Sequence, residues 1–293
     1  MIRYLLLFWL AFIPAALADD GHPEPFVAEA DARAEMAAAL ERAAVDDKRV
    51  ILVFGANWCH DSRGLADHFR QEDLQAVLAE HYEVIWIDVG WRHRNLDIAR
   101  DYGVPTIYGT PTVLIVDPEL GLINRGTMHS WHTAYSREHD VVVRYFRQFA
   151  FSTPGGGVVE NTAAYAALVA DIEAWEAREG ARLTAAYIQS RRWRESLDAE
   201  YGRRESDISS AEFYRAYNAV EAQIDQHRGR MRQDRSDLYT EARRAVRNAM
   251  LDAGISLSPA GAQEFDATDP EIVLDFPDYS GLAFPWESEG WTL

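Results

Sequence analysis

Val50-Ile51-Leu52-Val53-Phe54-Gly55-Ala56-Asn57-Trp58-Cys59-His60-Asp61-Ser62 runs from an apolar strand into a polar helix start and carries the only cysteine of the chain to that junction. A helix N-terminus presents unpaired backbone N–H groups and the positive end of the macrodipole. Both favour the thiolate, which is the nucleophilic form of cysteine. Cys59 is therefore the leading candidate for a catalytic residue. Three positions on, the Ser62 hydroxyl is expected to donate a hydrogen bond to that thiolate. His60 and Arg63 are read as cationic neighbours that raise the thiolate fraction, with Asp61 opposing them. Trp58 is placed to contact substrate or to shield the sulfur. The plainer alternatives are a buried, inert cysteine packed as a small hydrophobe and a solvated polar helix start.

Outward from this junction, helix and strand signals alternate. Alanine-rich Ala28–Ala44 predicts a helix before the strand, and Leu65, Phe69, Leu74, Val77 and Leu78 predict one long helix from Cys59 to about Glu80. Val84–Val89 reads as a second buried strand, and Asn95–Tyr102 as a short helix ended by Gly103. Gly109-Thr110-Pro111-Thr112 leads into a third strand, Val113–Val116. Pro118–Gly121 then turns the chain into Leu122–Arg125 as a hairpin. A helix from about Ser136 to Phe151 closes this unit, and Ser152–Gly157 marks a linker.

Trp58-Cys59-x-x-Ser62 after a buried strand, together with Thr110-Pro111 before a second apolar run, resembles the thioredoxin superfamily over roughly residues 25–152. The resemblance implies an α/β, thioredoxin-like fold in which Cys59 attacks disulfides. It also implies a cis Pro111 which, with Thr110 and Trp58, binds the substrate backbone. Two departures qualify it. The resolving cysteine of the family is replaced by Ser62, and the buried acid on the preceding strand falls at Val53. An alcohol cannot displace a thiolate, so Cys59 can enter a mixed disulfide but needs an external thiol for release. The expectation is a thiol–disulfide oxidoreductase of monothiol type, without a cofactor.

Met1–Ala18 has one early basic residue, Arg3, an apolar core interrupted by Pro14, and a small-residue end, Ala16-Leu17-Ala18. That pattern is a secretory signal peptide, so export is expected, to the periplasm if the source is Gram-negative, with no membrane span after cleavage. In an oxidising compartment an unpaired thiol contributes no internal staple. The formal net charge of −18 excludes polyanion binding, which needs a surplus of Lys and Arg, so no nucleic-acid partner is expected.

With 293 residues, the chain is longer than one such domain. Residues 158–253 read as helical: Thr162–Arg178, a break at Gly180, Ala181–Tyr201, and Ser210 to about Asp252. Phe213, Tyr217, Val220, Ile224, His227 and Met231 form a seam at alternating spacings of four and three, read as packing within an antiparallel helical hairpin. Asp234–Asp237 is a candidate interruption, with Ser236 as an N-cap. Residues 254–293 form an acidic, aromatic tail without a persuasive regular element, expected to pack across the domains through Phe276, Tyr279, Phe284, Trp286 and Trp291. His60, His129 and His132 lack the spaced Cys/His partners of a metal site, so no metal is expected.

Two function classes follow. The first is an exported protein that makes mixed disulfides with client proteins or small thiols through Cys59. The second is a non-redox module that binds peptides or proteins in the groove near Pro111.

Overall fold

A computed structural model describes residues 21–288 except 22, 29, 152–155 and 202–207, with backbone alone for 208–213. The signal peptide read over Met1–Ala18, and Trp291, lie outside the described residues.

The first unit runs α1 (Ala32–Asp46), β1 (Arg49–Gly55), α2 (His60–Phe69), α3 (Glu72–His81), β2 (Tyr82–Asp88), α4 (Leu96–Asp101), β3 (Thr112–Asp117), β4 (Gly121–Leu122) and α5 (His139–Phe151). Its four-stranded sheet has the order β2-β1-β3-β4, with β1 parallel to β2 and antiparallel to β3. Central β1 is buried on both faces, which is why Val50–Phe54 is continuously apolar rather than alternating. Val50, Leu52 and Phe54 join the core shared with α1 and the helical region, while Ile51 and Val53 face α2, α3 and α5.

The single helix expected from Cys59 to Glu80 is two. Arg70 and Gln71 turn the chain between α2 and α3, their N–H groups satisfied by the Asp67 and His68 carbonyls. The apolar spacing survives the turn, because Leu65 and Phe69 of α2 and Leu74, Val77 and Leu78 of α3 enter one core. The hairpin after β3 is also shorter than expected. Asn124 replaces ladder partners with its side chain, accepting from Ile115 N–H at 2.8 Å and donating to the Val113 carbonyl at 2.8 Å. At the other end of the unit, α5 starts only at His139, after a short 3₁₀ turn at Ala134–Ser136.

The helical region is an antiparallel pair, α6 (Ala163–Tyr201) and α7 (Ile208–Asp252). The two helices expected on either side of Gly180 are one, and Gly180 serves close approach instead of a break. A Cβ there would lie 3.1 Å from Pro105 Cγ and 3.3 Å from Thr106 Cγ2. Nor does α7 break at Asp234–Asp237, where Arg235 is drawn into the interior by Glu176 of α6. Of the seam, Val220, Ile224, His227 and Met231 are buried, while the Phe213 side chain lies outside the described residues. Antiparallel pairing is fixed by contacts such as Glu176 with Arg235, Ser190 with Glu221 and Asp198 with Tyr214.

The tail contains an element that was not anticipated, α8 (Pro259–Asp266). Its signal is local: Ser258 caps the Gly261 N–H at 3.0 Å, and Pro259 occupies the first helical position. Beyond α8 the chain returns to the helical pair. Tyr279 and Phe284 are buried, and Trp175 donates its indole N–H to the Pro277 carbonyl at 3.2 Å.

α6 is docked on the segment that leads to Gly109–Pro111. Thr184 donates to the Pro105 carbonyl at 3.2 Å, Tyr187 to the Ile107 carbonyl at 3.0 Å, and Tyr108 donates back to Glu176 at 2.9 Å. Among the described residues, no helix is long and apolar enough to cross a membrane.

Candidate functional site

β1 ends at Gly55, a position restricted to glycine because a Cβ would meet the Phe26 ring at 2.5 Å and Ser62 Oγ at 2.6 Å. A tight turn follows, closed by Cys59 N–H on the Ala56 carbonyl at 3.1 Å. Cys59 itself is the N-cap of α2, with extended backbone, and its carbonyl accepts the Arg63 N–H at 3.1 Å. The thiol donates to the Thr110 carbonyl at 3.2 Å. The Thr110–Pro111 peptide bond is cis, and both residues are buried. Cys59, Thr110 and Pro111 therefore meet across a sequence separation of about fifty residues, with 8% of the cysteine exposed.

Ser62 is buried in the first turn of α2, but its Oγ faces the end of β1 and accepts the Ala56 N–H at a long 3.5 Å. Its expected hydrogen bond to the Cys59 sulfur is not formed, since that sulfur turns to the Thr110 carbonyl instead. His60 is exposed and lies 3.2 Å from Asp61, whose other oxygen accepts the Tyr135 N–H at 3.0 Å. Asp61 thus ties the start of α2 to the loop before α5. Val53, where the resemblance placed an acid, is fully buried between Trp86 of β2 and Val113 of β3.

Trp58 is partly exposed and held by its indole N–H on the Gly90 carbonyl at 2.9 Å. It stacks on Trp91 with centroids 4.7 Å apart and planes 8° apart, and the Arg92 guanidinium lies 5.2 Å from its ring. Trp91 and Arg92 were not singled out from the sequence. Their signal was available in Gly90-Trp91-Arg92-His93-Arg94, a basic and aromatic run immediately after the end of β2. Because β1 and β2 are parallel, that run and Cys59 emerge at the same edge of the sheet, where open α/β folds place their ligands. Burial lowers the Arg92 guanidinium below its ordinary range and Arg228 adds to this, while Tyr187, Asp225 and Cys59 oppose it. Arg92 therefore interacts electrostatically with Cys59, and its Nε has no hydrogen-bond partner among the described residues.

His129 and His132 stand in the loop between β4 and α5. His129 Nδ1 is 3.3 Å from Thr112 Oγ1, and His132 Nδ1 is 3.1 Å from the His129 carbonyl. No three His, Cys, Asp or Glu side chains converge among the described residues.

A thioredoxin-like family matches residues 31–118, a span from α1 to just past β3 that includes Cys59 and Pro111. Among solved structures, a disulphide isomerase from Xylella fastidiosa Temecula1 is 32% identical, covering 43% of this chain and 97% of its own, with a TM-score of 0.41. No curated protein matches the chain.

Proposed function

Because this chain belongs to the thioredoxin superfamily through its residues 31–118, we propose that it is an exported monothiol exchange protein that forms mixed disulfides with client proteins or small thiols. The observation that carries this reading is the Cys59 sulfur, 3.2 Å from the Thr110 carbonyl and beside Pro111. A client strand lying along Pro111 brings its disulfide next to that sulfur.

In the first step the Cys59 thiolate attacks one sulfur of the client disulfide. The S–S bond breaks, a Cys59–client disulfide forms, and the second client sulfur leaves as a thiolate. In the second step an external thiolate attacks the client sulfur of the mixed disulfide and releases Cys59 as thiolate. Disulfides are exchanged and none is lost. Ser62 cannot perform the second step, because its hydroxyl is neither acidic nor nucleophilic enough. The exposed Trp58 and Trp91 faces, with Arg92 at their side, supply a flat contact surface for the client next to the narrow approach to Cys59. Export rests on the pattern of Met1–Ala18, and mature protein beginning at Asp19 is its check.

Incubation with oxidised glutathione followed by intact mass measurement without reductant is expected to show one glutathione adduct, absent from Cys59→Ser. Ser62→Cys restores a resolving thiol within the helix turn, and it is expected to reduce a generic protein disulfide that the native protein only captures. A native protein that forms no adduct while still retaining a client would instead favour the non-redox binding module. A folded Ser62→Cys variant without reductase activity would overturn the assignment of the site.

A further inference from the structure

A cavity of about 320 Å³ lies between α7 and the loop after β4, lined by Gly126, His129, His132, Arg232, Arg235 and Tyr239 among others. That volume is at the lower end for small-molecule sites. No carboxylate lines it, although the chain as a whole carries a formal charge of −18. Two polar atoms of its lining residues, His129 Nε2 and the Tyr239 hydroxyl, are buried and have no hydrogen-bond partner among the described residues. A buried polar group without a partner costs on the order of 1–3 kcal/mol, so two from different units lining one cavity point to a missing ligand.

The charges identify its kind. Arg235 is neutralised by Glu176 at 2.8 Å, and Arg243 by Glu160 at 3.1 Å. Arg232, half-buried in the same wall, has no such partner among the described residues, and burial together with Arg228 lowers its guanidinium unopposed. We propose that this cavity binds a small organic or inorganic anion, whose carboxylate or oxyanion group sits between Arg232, the Tyr239 hydroxyl and His129.

His129 gives the site a pH signature. Thr112 Oγ1 donates to the Gly109 carbonyl at 2.9 Å, so its lone pairs are left for His129 Nδ1–H, and Nε2 is the unprotonated nitrogen. Burial holds the ring neutral, reinforced by Arg235 and Arg232 from α7 and by His132 and Arg125 from its own loop, with the Tyr108 ring edge-on to it. An entering anion offsets those cations and lets Nε2 take up a proton and donate to it. Binding therefore consumes a proton and tightens as pH falls.

Calorimetric titration of the full chain with sodium sulfate, and separately with sodium succinate, at low chloride tests this and separates an inorganic from an organic ligand. Saturable binding of at least one anion is expected, weakened by about tenfold or more in Arg232→Gln, whose unfolding midpoint should match the native protein because the side chain has no ion-pair partner among the described residues. Sulfate, which keeps its charge, should bind more tightly at about pH 6 than at about pH 8, and His129→Gln should remove that difference. Failure of both anions to bind, or equal binding by Arg232→Gln, would overturn the site. A pH effect retained in His129→Gln would remove His129 from it. None of these readouts involves Cys59, so they stand apart from the exchange reading.

Discussion

A methyl group added at Gly64 would stand 2.6 Å from Tyr135 Cα and 3.0 Å from its nitrogen. Gly64 is in α2, where alanine is intrinsically favoured by about 1 kcal/mol, so propensity and packing oppose each other. Packing wins, because the obstacle is backbone that Asp61 also holds through the Tyr135 N–H. Gly64→Ala is expected to destabilise the protein by about 1–2 kcal/mol in urea unfolding, with slower adduct formation at Cys59 as α2 shifts. At this scale residue type and setting put Cys59 at a strand-to-helix junction, whereas Pro111 entered only through the resemblance to the thioredoxin superfamily. The sequence misdirected the Ser62 hydroxyl toward the Cys59 sulfur, since a helix position does not say which neighbouring backbone group is nearer.

At the scale of elements, α6 and α7 are pinned by the Glu176–Arg235 pair, with side chains 1% and 6% exposed. Burial works against the Arg235 charge, yet Glu176 and Tyr239 more than compensate and hold the guanidinium above its ordinary range. Glu176 also accepts from Tyr108, so the same carboxylate joins both helices to the segment before Pro111. Glu176→Gln leaves Arg235 buried and uncompensated, and about 3 kcal/mol of stability is expected to be lost in urea unfolding. Replacing both residues by leucine should recover most of it, since a well-packed apolar pair avoids the desolvation cost. The helical character of this region and the order of its segments were legible from apolar spacing. Their ends were not: Gly180 read as a stop because glycine usually is one, and only Pro105, distant in sequence, explains its place inside α6.

Across the whole molecule, His68, His93, His129 and His227 all lie below the ordinary histidine value of 6.5, in each case chiefly through burial. The unfolded chain therefore takes up these protons first, and the stability they contribute is present above the unfolded value and lost as pH falls through it. The urea midpoint is expected to decline from about pH 7 to about pH 5. A further decline should follow below about pH 4, where the unfolded chain protonates Asp97 while its bond to Arg33 still keeps it ionised in the folded protein. A midpoint that rises with acidification would contradict this assignment of neutral histidines. The four come from α2, the loop after β2, the loop after β4 and α7, so the acid response belongs to both units.

What the chain dictated alone was local: a doubly covered strand, a lone thiol at the start of a helix, a Thr-Pro step before another strand, and helical periodicity over residues 158–253. Backbone sterics and side-chain period act within a few residues, and so they can be read along the chain. Tertiary packing decided the rest, namely the contact of the cysteine with the Thr110 carbonyl, the Trp58–Trp91 stack, the uninterrupted α6 and the cationic cavity under α7. Each of these is a juxtaposition of groups far apart in sequence, set by how the two units bury their apolar faces together, and no local pattern encodes it.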